Sequence, residues 1–414
     1  MMSRAWAVFI LSSLTFFLSQ FYRSANAVIS PQLLHDLSLD TEGLGILSAS
    51  FFYAFAVTQI PISVLLDRIG PRRLMSGLNF VGIAGALVFS GANDLATGIA
   101  GRTLMGVGMA CNLMGPLKLL TLWFSPLRFA TLSGLVFAVG SIGNMAATSP
   151  FVLMVESLGW RLSFQVIAGF NLIIVLVFYW IARDKPSPVS REKEGIFSDL
   201  GFLLKHRDFW IISVATMVSY GVFAAFQALW AGPFLMEAMG LTPLRAGHVI
   251  LVTNVALIFA GPFWGNVSDR LKTRKWPVFG GQVILCLVIL MMLKVTPGTK
   301  TVILAVLFVC FGFFRTSGSL MYAHIKESMP LRMAGTAMTG INFFTMMGPA
   351  IFLQGLGKAM QAVYPSASRS AEAFDLAFLL CALSIGMIAL LYLLTTDRKA
   401  APQGTKQQAA GSKQ

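Results

Sequence analysis

Twelve stretches of the chain are almost continuously apolar, near 5–30, 43–66, 74–92, 95–122, 130–154, 162–182, 209–236, 247–267, 276–294, 301–324, 333–357 and 375–395. Gly, Pro or charged clusters close off each one, as helix ends require. A helix needs roughly 20 such residues to cross the hydrocarbon of a bilayer. No water is available there, so every backbone amide must bond within its own segment, and the pattern predicts helices. The expected fold is all-α, with twelve transmembrane helices. Residues 5–19 followed by Ser24-Ala25-Asn26-Ala27 have the outline of a secretory leader. The run continues through Ser30, however, and the next begins at ordinary loop distance. It is therefore read as the first span.

The polar connections add organisation. The longest, 183–208, opens with Arg183-Asp184-Lys185-Pro186-Ser187-Pro188, and its part from Ile196 to Leu204 fits a short helix on the membrane surface. It divides the chain into a six-helix bundle (1–182), a linker (183–208), a second six-helix bundle (209–396) and a tail (397–414) expected to be disordered. Alternate connections carry unequal charge. One set, from Arg4 through the tail, holds 21 Lys and Arg residues, and the opposite set holds six, namely Arg161, Arg245, Lys294, Lys300, Lys358 and Arg369. The positive-inside rule then places both termini and the linker in the cytoplasm, in a bacterial inner membrane.

Composition excludes several classes. Hydrophobic residues make up 56% and charged residues 12%, with a mean hydropathy of +0.75. A soluble domain carries about 25% charged residues. The net charge of +14 is spread over short connections, so it is a topology signal rather than a nucleic-acid surface. Cys111, Cys286, Cys310 and Cys381 lie inside apolar runs at no ligand-like spacing and read as small core residues. No nucleotide loop, metal spacing or catalytic triad is present, so neither an enzyme nor a cofactor is expected.

Each half repeats one feature between its second and third helix. The first copy is Asp67-Arg68-Ile69-Gly70-Pro71-Arg72-Arg73, and the second, from Gly265, contains Asp269-Arg270-Leu271-Lys272-Thr273-Arg274-Lys275. An acid at a helix end, a tight turn and a basic cluster form a charge clasp that can hold neighbouring helices in one conformation and release them in another. With Arg102-Thr103-Leu104-Met105-Gly106-Val107-Gly108 in the fourth span, these loops resemble the major facilitator superfamily over essentially the whole chain. The resemblance implies two six-helix bundles around a central cavity, alternating access, and gating roles for Asp67, Arg68, Gly70, Arg72, Arg73, Arg102, Gly265, Asp269 and Arg270. Ser63 replaces the glycine usual four residues before the first Asp. Arg23-Ser24-Ala25-Asn26-Ala27, Gly45 to Phe55, and Gln59-Ile60-Pro61 resemble the anion:cation symporter branch. In that branch a first-span arginine at the position of Arg23 binds the substrate carboxylate. The membrane glutamate of those symporters is absent, since the fourth span reads Met109-Ala110-Cys111, and Gly140-Ser141-Ile142-Gly143 lacks the antiporter Gly-Pro pair. Bacterial relatives of lysosomal dipeptide carriers share the general pattern.

Ionisable residues inside the spans are the remaining signal, because each costs several kcal/mol unless it faces water or a partner. They are Arg23, Arg102, Lys118 and Arg315, with no Asp or Glu in mid-span. Arg23 shares a helical face with Ser19, Gln20, Asn26 and Ser30. Arg315 falls near the middle of the tenth span. Lys118 lies near a span end, and the sixteen residues separating it from Arg102 put the two on different faces of one helix. Tyr220, Phe223, Gln227 and Trp230 form a second polar and aromatic face in the seventh span. Asn342 and Gln59 suit amide contacts between helices, and His35 and His324 at span ends read as solvated. Cations without fixed anions call for an anionic substrate. The expected protein is a secondary or facilitative transporter of a small carboxylate-type anion, working as a monomer, with Arg23 and Arg315 as a clamp. Tyr22, Asn26, Lys118, Gln227, Trp230 and Asn342 are expected to complete the site. A proton or sodium ion is the candidate coupling ion, the latter through Asn26, Asn342 or Thr345. A carrier of dipeptides or amino-acid derivatives, and a non-transporting receptor or scaffold on the same fold, are the alternatives.

Overall fold

The computed structural model describes residues 4–125, 128–183, 203–329 and 334–396. Most of the linker and the tail lie outside that range, as does the Asp67 side chain. The described residues are helical, without a strand, and contain ten helices long and apolar enough to cross a membrane. A shorter apolar helix, Thr131–Ala146, and the 30-residue Ala334–Val363 supply the fifth and eleventh spans. Gly159, at φ 74°, kinks the long rod Ser149–Ile181 and separates the end of the fifth span from the sixth. The twelve-helix expectation therefore holds.

The spans are less continuous than their apolar runs suggest. The first is divided into Arg4–Ser24 and Asn26–Asp36, the fourth into Leu95–Met109 and Met114–Trp123. The seventh widens into π-helical turns at Phe226–Trp230 and Phe234–Ala238, and the tenth passes through a 3₁₀ turn at Thr316–Ser319 between Thr301–Arg315 and Leu320–Ser328. Every third span is interrupted. The break in the fourth span also cancels the angular argument about Arg102 and Lys118, which assumed one unbroken helix.

Packing repeats between the halves. In the first half the main pairs are spans one with five, two with four, three with four and three with six. In the second they are seven with eleven, eight with ten, nine with ten and nine with twelve, the same set displaced by six. The halves meet where span two packs on eleven and span five on eight. The glycines of the fourth span make its close packing possible. A methyl on Gly106 would fall 2.2 Å from the Phe51 carbonyl oxygen of span two, and one on Gly108 2.2 Å from the Gly82 nitrogen of span three.

One face of the bundle carries both described chain ends. There Arg4 Nε donates to the Ile181 carbonyl at 2.7 Å, and Lys275 Nζ to that of Thr395 at 3.0 Å. His324 is buried on this side, bonded to the Tyr392 hydroxyl and the Thr396 carbonyl, which corrects its reading as a solvated histidine. Span twelve covers it, a tertiary contact that its position near a run's end did not reveal. On the far face Asp40, Asp94, Thr242 and Ser370 cap spans two, four, eight and twelve through their side chains. Asp36, beyond the first apolar run, accepts from Trp160 Nε1 at 2.9 Å and from Arg161, whose guanidinium also donates to the Ala92 carbonyl at 2.9 Å. This knot ties the first, third and sixth spans together.

The two signature loops differ in their turns. Gly70 adopts φ 88° and ψ 151° before Pro71 opens the third span, a region nearly exclusive to glycine. At the equivalent position Lys272 takes a left-handed conformation, φ 52° and ψ 32°. Arg72 Nε donates to the Tyr179 carbonyl at 2.8 Å and the guanidinium lies 4.2 Å from that ring. Arg274 instead bridges Asp269 at 2.6 Å and Glu327 at 3.0 Å. The described contacts of Arg72 and Arg274 stay within their own halves. The Glu327 and Asp269 carboxylates hold the Arg274 guanidinium above its ordinary value.

Two stability effects follow. Relieving the left-handed strain with Lys272→Gly should raise stability by about 0.5–1 kcal/mol, while Gly70→Ala should lower it by ~1–3 kcal/mol, read by thermal unfolding in detergent. Hydrogen bonds from His35, Trp160 and Arg161 lower the Asp36 carboxyl from 3.8 to about 2. A depressed acid stabilises the folded state above its unfolded value and loses that contribution as pH falls through the folded one. The melting-temperature gap between wild type and Asp36→Asn should thus be full above about pH 4 and close towards about pH 2.

Candidate functional site

The site grows out of the broken helices. Arg23 occupies the last turn of Arg4–Ser24, and Arg315 is the final residue of Thr301–Arg315. Both positions lie where a span departs from a regular α-helix, at Ala25 and at the 3₁₀ turn Thr316–Ser319.

Both side chains converge on Tyr220 of span seven. Arg23 Nη1 donates to the Tyr220 hydroxyl at 3.0 Å, and the Arg315 guanidinium lies 4.9 Å from the Tyr220 ring centre. Aromatic faces complete the enclosure. Arg23 lies 4.8 Å from the Phe55 ring and 5.8 Å from Phe52, and Arg315 lies 4.7 Å from Phe223. Such cation–π contacts are worth about 0.5–2 kcal/mol each. The Nε atoms of both arginines are buried without a hydrogen-bond acceptor. Beside them the Tyr322 hydroxyl donates to Asn342 Oδ1 at 3.0 Å and lies 3.0 Å from Thr345 Oγ1.

The other expected site residues are distributed differently. Tyr22, adjacent in sequence to Arg23, points about 100° away around the helix; it is fully buried with its ring stacked on Phe164 at 6.1 Å. Asn26 Nδ2 donates to Ser48 Oγ at 3.0 Å inside the first half, away from the Tyr322–Asn342–Thr345 group in the second. Gln227 Nε2 donates to Asn254 Oδ1. Trp230 is fully buried and donates to the Leu353 carbonyl at 3.3 Å. Lys118 is half-buried, beyond the break in span four towards the face of the chain ends. Arg102 is fully enclosed, its Nη1 donating to the Tyr22 carbonyl at 2.8 Å and its guanidinium 4.9 Å from the Phe51 ring. Gln59 Nε2 donates at 2.6 Å to the Ala110 carbonyl freed by the break. Among the clasp residues, Arg68, Arg73 and Arg270 are exposed and Gly265 has open space beside it.

The far face is sealed across the halves. Tyr53 donates to Gln354 Oε1 at 3.0 Å, and the Thr41 and Ser368 hydroxyls are 2.6 Å apart. Trp230 packs against Gly45 and Gly357 at the same seam. A methyl on Gly232 would fall 1.5 Å from the Ala27 carbonyl oxygen. The described side-chain hydrogen bonds that cross between the halves lie at mid-bundle or on this far side. A polar hollow of about 410 Å³ lined by Asp40, Glu237, Ser368 and Arg369 opens above the seam, outside the arginine site.

The Major Facilitator Superfamily family model matches residues 12–353 and 233–413. The chain belongs to that superfamily. A hexuronate transporter of Bacillus subtilis (strain 168) is 26% identical over 80% of this chain and 82% of its own length. A "Probable galactarate/D-glucarate transporter" of the same organism is 25% identical over 78% of each chain. A "Probable sulfoacetate transporter" of Cupriavidus necator is 22% identical over 82% of this chain and 84% of its own length. Among solved structures, the chain is similar to a bacterial homologue of the human lysosomal transporter Spinster, in an inward-facing and unoccupied conformation. The TM-score is 0.77 at 15% identity, over 95% of this chain and 97% of that one. A D-xylose-proton symporter also gives 0.77, at 13% identity over 95% and 98%. The superfamily member described here is thus a multi-pass membrane transporter, not an enzyme.

Because Gly232 admits the Ala27 carbonyl, Gly232→Ala should wedge the far seam open. A cysteine introduced at Ser368 should then react faster with an impermeant thiol reagent than in the parent. Unchanged labelling would show that the seam does not depend on this contact.

Proposed function

We propose that this transporter carries a small carboxylate-type organic anion by alternating access, with Arg23 and Arg315 as the two jaws of its binding site. The carrying observation is their convergence on Tyr220 from opposite halves of the molecule. Each keeps a buried Nε without an acceptor, and leaving such a donor unsatisfied costs about 1–3 kcal/mol. A carboxylate accepting from both would remove that cost and draw the halves together. The relatives named for hexuronate, glucarate and sulfoacetate support an anionic substrate. A dipeptide would need an anionic partner for its ammonium group, and among the described residues around the arginines there is no carboxylate.

The far seam is closed, so the site is reached from the face of the chain ends. The excess of basic residues in connections on that face supports its cytoplasmic placement, which makes this the inward-facing state. The clasps around Asp67 and Asp269 would meet partners across the halves in the outward-facing state. With no carboxylate in mid-span, proton coupling would have to use a group of the substrate or a histidine. The separation of Asn26 from Asn342 and Thr345 weighs against a sodium site shared by all three.

Uptake of D-glucuronate, D-glucarate and sulfoacetate into proteoliposomes tests the reading. Hydrogen bonds to charged groups are worth about 1.5–3 kcal/mol, so Arg23→Gln and Arg315→Gln should each lower kcat/KM by roughly ten- to hundredfold. Full uptake with either arginine replaced would overturn the clamp.

A further inference from the structure

We infer that the Tyr220 hydroxyl is a built-in stand-in for the substrate: in the empty carrier it occupies the place on Arg23 that the substrate carboxylate takes, and substrate binds by displacing it. The inference rests on the proposed clamp and adds a residue to it.

Four observations carry it. Arg23 is only 7% exposed, and its Nη1 donates to a neutral phenol rather than an acid. Tyr220 belongs to span seven, so this bond crosses between the halves at the level where a substrate would bridge them. The same side chain presents its ring to Arg315, so one residue touches both jaws. Finally, Tyr220 lies one and a half turns before the π-helical stretch that begins at Phe226, and such turns are places where a helix readjusts.

The chemistry sets the direction of exchange. A neutral hydroxyl is a weaker acceptor for a guanidinium than a carboxylate, which brings the opposite charge and two oxygens in fork geometry. Carboxylates therefore win the site, while weak acceptors at the same concentration leave the phenol in place. Displacement lowers the affinity for every ligand by a common factor, which leaves only strong acceptors bound at working concentrations. It also aids release, because the returning hydroxyl re-forms the bond that the departing anion breaks. Tyr220 is in this sense a positioning and specificity residue, since it acts through Arg23.

The test is the conservative variant Tyr220→Phe, which keeps the ring under Arg315 and removes the competing oxygen. In the purified full-length protein, titration calorimetry should show D-glucuronate and D-glucarate binding about three- to thirtyfold more tightly than in wild type. Without ligand, Tyr220→Phe should lower the melting temperature in the wild-type background but not when Arg23→Gln is already present, as one shared bond requires. Additive melting-temperature losses would overturn the proposal. So would anion binding that is abolished by Arg23→Gln yet unchanged or weaker in Tyr220→Phe, an outcome that leaves the clamp standing. If wild type binds none of these anions, clamp and stand-in fall together.

Discussion

Everything in this molecule answers to the absence of water around its backbone. In hydrocarbon an unpaired amide has nowhere to turn, so the lipid-facing surface is built of helices. Interruptions recur in spans one, four, seven and ten, with another at Ala147 and Thr148 in span five, and polar groups within the bundle take up carbonyls at the breaks of spans four and ten. Gln59 serves the Ala110 carbonyl, Ser19 reaches that of Met109 at 3.4 Å, and Thr316 returns to Gly312 at 2.9 Å. The two converging arginines sit beside such breaks in mid-bundle.

Much of this was legible in the sequence. Lipid leaves a strong signal, since a span must be apolar for its full length, and all twelve runs correspond to helical rods. The signature loops were legible because a positive-φ turn beside an acid and a basic cluster limits the residues that fit. Arg23 and Arg315 stood out because an unpaired mid-span charge needs a reason. The breaks were invisible, as Ala25, Cys111 and Ser317 disturb neither hydropathy nor helix propensity enough to be noticed.

The walls of the site were harder to read. Phe52 and Phe55 look like any apolar residues of a span, and only the fold turns their faces towards Arg23. Tyr22 was misleading for a simpler reason: neighbours in a helix point in different directions, and its ring belongs to the core of the first half. Trp230 shares the polar and aromatic face of span seven, and the structure sets it at the far seam. Gln227 and Asn254 show how an amide in a span can satisfy another amide instead of a ligand.

The unequal turns of the two clasps have a consequence for how the halves can diverge. At Gly70 the backbone lies in a region that a side chain all but forbids, so drift at that position is blocked by sterics. At Lys272 the left-handed turn is tolerated by several residue types at modest cost, and drift there is nearly free. Two copies of one loop thus face different mutational landscapes, and their likeness fades first in the second copy. The ancestry of the molecule is preserved best where its backbone leaves least choice.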